Sequence, residues 1–340
     1  MYSLLLKVIL VVSIMFCIYL LYILLQKRNS YFHLQWNKKT LESFVVTNSI
    51  GPINSEFAKM PLSEYIVKAS FNSAYGSDGI ISKENLKNVI ENERARFLDF
   101  DVYESDGKAK VGFSKSYDNS TNSDLVDFNT LMETVAGSAF ATSNGSDPLF
   151  IHIRLNTENQ QILSDMAGYL KITFDGKLCD FDVTPKTRLE KLINRVVFII
   201  NVGPEYSSNY STILCPLNAK ECTNLKDIAN MDLISVSEDK IITQQTDPPT
   251  RKLFGRKNRR RSGVKTIKST MPDLNNYVDK NTDSFFRIVN DYGVQYAMHQ
   301  FYLDDDGLAK YKKLFEDQQS AFVTMKSALS YIAQNNGPEA

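Results

Sequence analysis

Histidine is almost missing from this sequence. Only His33, His152 and His299 occur among 340 residues, which leaves little room for chemistry built on clustered imidazoles. Cysteine is equally scarce, at four. Cys17 lies in an apolar run, and Cys179, Cys215 and Cys222 remain, so at least one of these is outside any intrachain pair. No dense disulfide framework is visible, and no Cys-x-x-Cys or Cys/His spacing points to zinc. Cys215 and Cys222, in CPLNAKEC, would close a small loop in an oxidising compartment; otherwise all three are free thiols. Net charge is absent too. The 39 basic and 39 acidic residues cancel, so nucleic acid is not an expected partner, and any electrostatic attraction must come from local patches.

Long hydrophobic runs are also rare, with one exception. Lys7 is followed by VILVVSIMFCIYLLYILL, Val8 to Leu25, with no charge, proline or glycine. As a helix it spans about 27 Å, close to the hydrocarbon core of a bilayer. It ends in Gln26-Lys27-Arg28 without the small residues of a cleavage site, so the reading is a retained single-pass transmembrane anchor. Lys27, Arg28, Lys38 and Lys39 on its C-terminal side favour a cytoplasmic location for the large domain. Three glycosylation sequons, at Asn119, Asn144 and Asn209, would matter only on the other side.

Behind the anchor (1–28) and a polar linker (29–58), short apolar runs alternate with helical spacing. EYIVKAS (64–70), RFLDFDVY (96–103), AKVGF (109–113), PLFIHIRL (148–155) and RVVFIINV (195–202) read as strands. ENLKNVIENE (84–93), LVDFNTLMETVAGSAF (125–140), ENQQILSDMAGYLKITF (158–174) and LAKYKKLFED (308–317) read as helices. That alternation predicts an α/β fold, and for this length a closed (β/α)8 barrel. The sharpest change of composition is TRKLFGRKNRRRSGVKTIK (250–268), which holds Arg256, Lys257, Arg259, Arg260 and Arg261. On an anchored protein such a run is either a solvated loop or a contact for anionic lipid or an acidic protein, at about 1 kcal/mol per cation near the surface.

Several segments together resemble the X region of phosphatidylinositol-specific phospholipase C: PLSEYIVKASFNSAY, then RARFLDFDVYESDGKAKVGFSKS, then DPLFIHIRL followed by QQILSDMAGYL. The later YGVQYAMHQFYLDDDGLAKYKKLFEDQQSAFVTMKSAL is similar to the end of that family's Y region. The resemblance implies an X-like half barrel at 59–203, an insertion with the basic run at 204–263 and a Y-like half at 264–335, folded as a distorted TIM-type barrel.

It also implies a site. The family's two catalytic histidines fall on Phe71 and Phe113, and phenyl rings carry no proton at any pH; losing one positioned acid or base typically costs about 10²- to 10⁴-fold. The family's calcium ligands fall on Asn72, Asp99, Asp101 and Arg154. The first three keep oxygens, but the last replaces a carboxylate with a cation. Calcium takes about six to eight oxygens, so its binding is expected to be lost or weak. Asp99 and Asp101, two apart, share one strand face, where a guanidinium could pair with both; the alternative leaves them solvated at the barrel mouth. His152 is out of phase with Ile151 and Ile153 and not where the family places its acid. Lys115 is the remaining candidate anion contact.

The expected function is a membrane-anchored phospholipase-C-like domain without hydrolysis, a pseudoenzyme with no catalytic residue and no cofactor. One alternative is an active phosphoric diester hydrolase using displaced groups such as Lys115 with Asp99. Another is a structural protein joining membrane to capsid in a large DNA virus, whose divergent barrels this one resembles.

Overall fold

A computed structural model of the protein describes residues 50–113, 125–202, 225–231, 233–237, 267–274 and 277–335. The expected anchor lies outside these residues, as do Lys115, the basic run with Arg256, Lys257, Arg259, Arg260 and Arg261, and Cys17, Cys215 and Cys222. Among the described residues no helix is long and apolar enough to cross a membrane.

Seven strands run parallel: β2 (Ala69–Ser70), β3 (Phe97–Ser105), β6 (Leu149–Asn156), β7 (Val196–Val202), β8 (Leu233–Ser237), β9 (Ile267–Met271) and β10 (Tyr296–His299). Their order is β8-β9-β10-β2-β3-β6-β7. β4 (Lys108–Gly112) and β5 (Val126–Asp127) extend the sheet antiparallel beyond β3. The helices between strands are α1 (Lys83–Lys87), α2 (Phe128–Ala139), α3 (Gln160–Thr173), the one-turn α4 (Leu225–Ile228), α5 (Phe285–Tyr292) and α6 (Asp306–Asp317); α7 (Met325–Asn335) ends the described chain.

The α/β alternation is TIM-like, but the expectation of a closed eight-stranded barrel needs correction. Among the described residues one parallel bridge, Phe198 to Ala229, stands where a β7–β8 ladder would close the ring. The Asn230 side chain takes over part of the strand's role there. Its backbone N–H donates to Phe198 O at 2.9 Å, its Oδ1 accepts from Phe198 N at 3.3 Å, and its Nδ2 donates to Cys179 O at 2.9 Å. β8 itself lies inside the stretch read from sequence as an insertion.

The run read as one strand over 64–70 is broken at Lys68. Its first part, β1 (Tyr65–Val67), turns aside to pair antiparallel with β11 (Phe322–Thr324). Lys68 is held at the bend by its own carbonyl, which accepts from the backbone of Arg96 and Phe97. The helix read over 84–93 is α only to Lys87 and continues as a π-helical turn, Asn88–Asn92.

β3 and β6 are buried on both faces, as parallel strands beneath helices must be. Partners across a parallel ladder project to the same side. Register therefore stacks Phe97, Asp99 and Asp101 beside Phe150, His152 and Arg154 on β6, and those beside Val197, Ile199 and Asn201 on β7. The lower layer is aromatic: Tyr296 packs on Phe97 at 4.6 Å and on Phe150 at 5.3 Å between centroids. The layers above it are polar. α2 covers the outside with Phe128, Leu131, Met132 and Val135, each fully buried and contributing roughly 1.5–3 kcal/mol. Its start is fixed by Asp127, whose carboxylate accepts from Asn129 N and Thr130 N.

Candidate functional site

At the C-terminal ends of β2, β3 and β6 the sequence puts charged side chains into an otherwise apolar interior. Asp99 is fully buried, Asp101 is 3% exposed and Arg154 is 9% exposed. A charge removed from water must be paired, and here the pairing is dense. Arg154 Nε donates to Asp99 Oδ1 and Nη2 to Asp99 Oδ2, both at 3.1 Å, a two-pronged contact. Its Nη1 lies 3.3 Å from Asp101 Oδ2. Nη2 also donates to Asn72 Oδ1 at 2.6 Å.

Each partner is fixed in turn. Asn72 follows β2 in the left-handed region, φ 43°, which asparagine tolerates better than most residues. That geometry lets its N–H donate to Asp99 Oδ2 at 3.0 Å. Asp101 accepts from Tyr103 OH at 2.9 Å and from Asn156 Nδ2 at 2.5 Å. Burial pushes the Asp99 carboxyl up, but the charge of Arg154 and the hydrogen bond from His152 outweigh it and hold the group at about 2. At Asp101 burial prevails over Arg154, Tyr103 and Asn156, and its carboxyl is raised.

His152 is the residue the sequence reading set aside. It is fully buried one layer below Arg154, with Nδ1 2.7 Å from Asp99 Oδ1. Being out of phase with Ile151 and Ile153 is what puts it inside, on the face of Arg154. The i, i+2 spacing of two polar residues in an apolar strand was the available signal.

Phe71 and Phe113 are both fully buried and meet edge to face, 6.3 Å between centroids. The Arg154 guanidinium carbon sits 4.9 Å from the Phe71 ring centre, a cation–π contact. Phe113 packs against Tyr75 at 4.5 Å and Tyr277 at 5.6 Å, and Tyr75 packs against Tyr302 at 4.8 Å. The hydroxyls of Tyr277 and Tyr302 lie 2.7 Å apart, and both donate to Gln300 Oε1. These rings come from the segments after β2, β4, β9 and β10 and pack on one another, with Phe71 the ring in contact with Arg154.

Asn72, Asp99 and Asp101 offer oxygens, but Arg154 contacts all three, and a divalent cation would have to share their lone pairs with a guanidinium. Among the described residues no group of three or more His, Cys, Asp or Glu is arranged to hold a metal ion.

No family model matches the chain, and no curated protein matches it by sequence. Solved structures do. PLC21 of L. pealei superposes with a TM-score of 0.59 at 16% identity, over 82% of this chain and 38% of that one. PLC21 of S. officinalis gives 0.57 at 16%, with the same coverage. The chain has the fold of these PLC21 proteins. A calcium-dependent phosphoinositol-specific phospholipase C from Pseudomonas sp. also aligns, with a TM-score of 0.47 at 11% identity over 80% of this chain. The chain spans well under half the length of the two PLC21 proteins.

Proposed function

We propose that the chain is a membrane-anchored phospholipase-C-like domain that binds or scaffolds at a membrane and does not hydrolyse phosphodiesters. The observation that carries this reading is Arg154, in contact with all three residues that resemble the family's oxygen ligands. The guanidinium supplies the positive charge that two buried carboxylates require, and it is fixed by packing on Phe71. Phe71 and Phe113 stand where the resemblance would put the proton carriers, and phenyl rings transfer no proton. The basic run at 250–268 supports contact with anionic lipid or an acidic protein.

One observation favours the alternative of an active hydrolase: the Asp99–His152 pair resembles an oriented general base. It is enclosed, however. His152 is fully buried below Arg154, and both Asp99 oxygens already accept from Arg154, one of them also from Asn72 N. The test is hydrolysis of phosphatidylinositol and glycerophosphodiesters by the full chain across a calcium titration. No turnover at any calcium level is expected. Turnover abolished by Asp99→Ala or His152→Ala would establish the hydrolase instead.

A further inference from the structure

The turn between α2 and β6 contains Asn144-Gly145-Ser146, a sequon for N-glycosylation. A usable acceptor asparagine sits on a surface loop, since its side-chain nitrogen must carry a bulky sugar. Asn144 is fully buried at the N-terminal end of the parallel strands. Its Nδ2, the atom that would bear the glycan, donates to Arg94 O at 3.3 Å. Its Oδ1 accepts from Thr142 Oγ1 at 2.9 Å. Its backbone carbonyl accepts from Asp147 N at 3.0 Å and from the guanidinium of Arg96.

Arg96 is itself 1% exposed, and its other nitrogen Nη1 donates to Ala139 O at 2.8 Å. The turn has no slack: a Cβ at Gly145 would collide with the backbone of Phe140. Transfer of an oligosaccharide would form a bond from Nδ2 to the anomeric carbon, with loss of an Nδ2 proton and departure of the lipid diphosphate that carried the sugar. The glycosylated Nδ2 keeps one N–H, but a fully buried side chain has no room for a sugar, so the turn would have to move and give up its contacts to Arg94 and Arg96. Transfer takes place on a chain entering the lumen, before Asn144 could be buried.

We infer that the Asn144 sequon is a structural part of the turn at the N-terminal end of the parallel strands that N-glycosylation would destroy, and that the folded domain therefore stands on the cytosolic side of its membrane. The assignment of a side rests on the membrane-anchored function proposed for the chain. The test uses the full chain in eukaryotic cells, with Thr121→Ala and Ser211→Ala removing the other two sequons. A second version carries Ser3→Arg, Lys27→Glu and Arg28→Glu to invert the anchor, with inversion confirmed by protection of the domain from protease in sealed microsomes.

The first version is expected to resist carbonate extraction, to show no endoglycosidase shift and to yield a protease-resistant domain once solubilised. The inverted version is expected to shift and to be protease-sensitive. Adding Ser146→Ala, at an exposed position that leaves every Asn144 contact in place, is expected to remove the shift and restore resistance. A glycan on Asn144 of the first version overturns the inference. So does a lumenal domain that is protease-resistant with its sequon intact, or one that Ser146→Ala does not rescue. Release of the first version by carbonate overturns the anchor, and the side assignment with it, while glycan and fold are still read against each other in the lumenal version.

Discussion

Replacing Arg154 by methionine leaves Asp99 and Asp101 buried with no cation. Removing one partner of a buried ion pair costs about 3–5 kcal/mol, and the geometry gives an independent bound. The folded variant can avoid two uncompensated charges by taking up a proton on one carboxyl. With an unfolded pKa near 3.9, that uptake costs about 4 kcal/mol at pH 7, at roughly 1.4 kcal/mol per unit. A cost of about 4 kcal/mol at neutral pH follows from both routes. Its pH dependence carries the sign. In wild type, Asp99 is held at about 2, below its unfolded value, so its contribution is present above about pH 4 and is lost as pH falls toward 2. In Arg154→Met the carboxyl that takes up the proton is raised, so the penalty is greatest at pH 7 and shrinks as pH falls toward 4. Urea unfolding followed by far-UV circular dichroism suits the measurement. A loss under about 1 kcal/mol at pH 7, or one equal at pH 7 and pH 4.5, would refute the pairing argument.

Other outcomes rest on the same contacts. Arg154→Glu restores a carboxylate in place of the cation, so millimolar calcium should raise the melting temperature of that variant and leave wild type unmoved; at a hundredfold excess over Kd the gain is about 2.7 kcal/mol. A strong calcium shift in wild type would contradict the electrostatic substitution. The double variant Phe71→His, Phe113→His should show no phosphodiester turnover, because Arg154 still occupies the cluster, and recovered activity in a hydrolysis assay would say otherwise. Lys68, 1% exposed and 3.7 Å from Glu93, has its ammonium pushed down by burial to about 8. Its folded pKa lies below the unfolded one, so wild type should gain stability relative to Lys68→Met as pH rises from 8 to 10, by about 2 kcal/mol; parallel pH profiles for the two proteins would remove that assignment.

The charged cluster was legible because its members sit on two strands with clear motifs. Asp99 and Asp101 share a face by spacing alone, and Arg154 stands where the resemblance calls for a carboxylate. His152 went unread as part of the site because the sequence does not say which strands are neighbours. Register against Asp99 is a property of the β3–β6 ladder, not of β6. The aromatic cover was hidden for the same reason, since Tyr75, Tyr277 and Tyr302 meet only through tertiary packing. The bend at Lys68 left no trace in an apolar run that reads as one strand, because its cause lies in Ala321, Arg96 and Phe97 far along the chain. The open seam between β7 and β8 depends on an asparagine side chain imitating backbone, which no periodicity reveals.

The central claim is that a fixed guanidinium stands in place of a metal and that phenyl rings stand where the resemblance puts the proton carriers. Its most direct measurement is phosphatidylinositol turnover by the purified full chain in lipid vesicles, with and without millimolar calcium, against the Arg154→Met protein. The account predicts a rate indistinguishable from the lipid-only blank in every condition. Calcium-stimulated release of inositol phosphate by wild type, lost on Asp99→Ala, would contradict it.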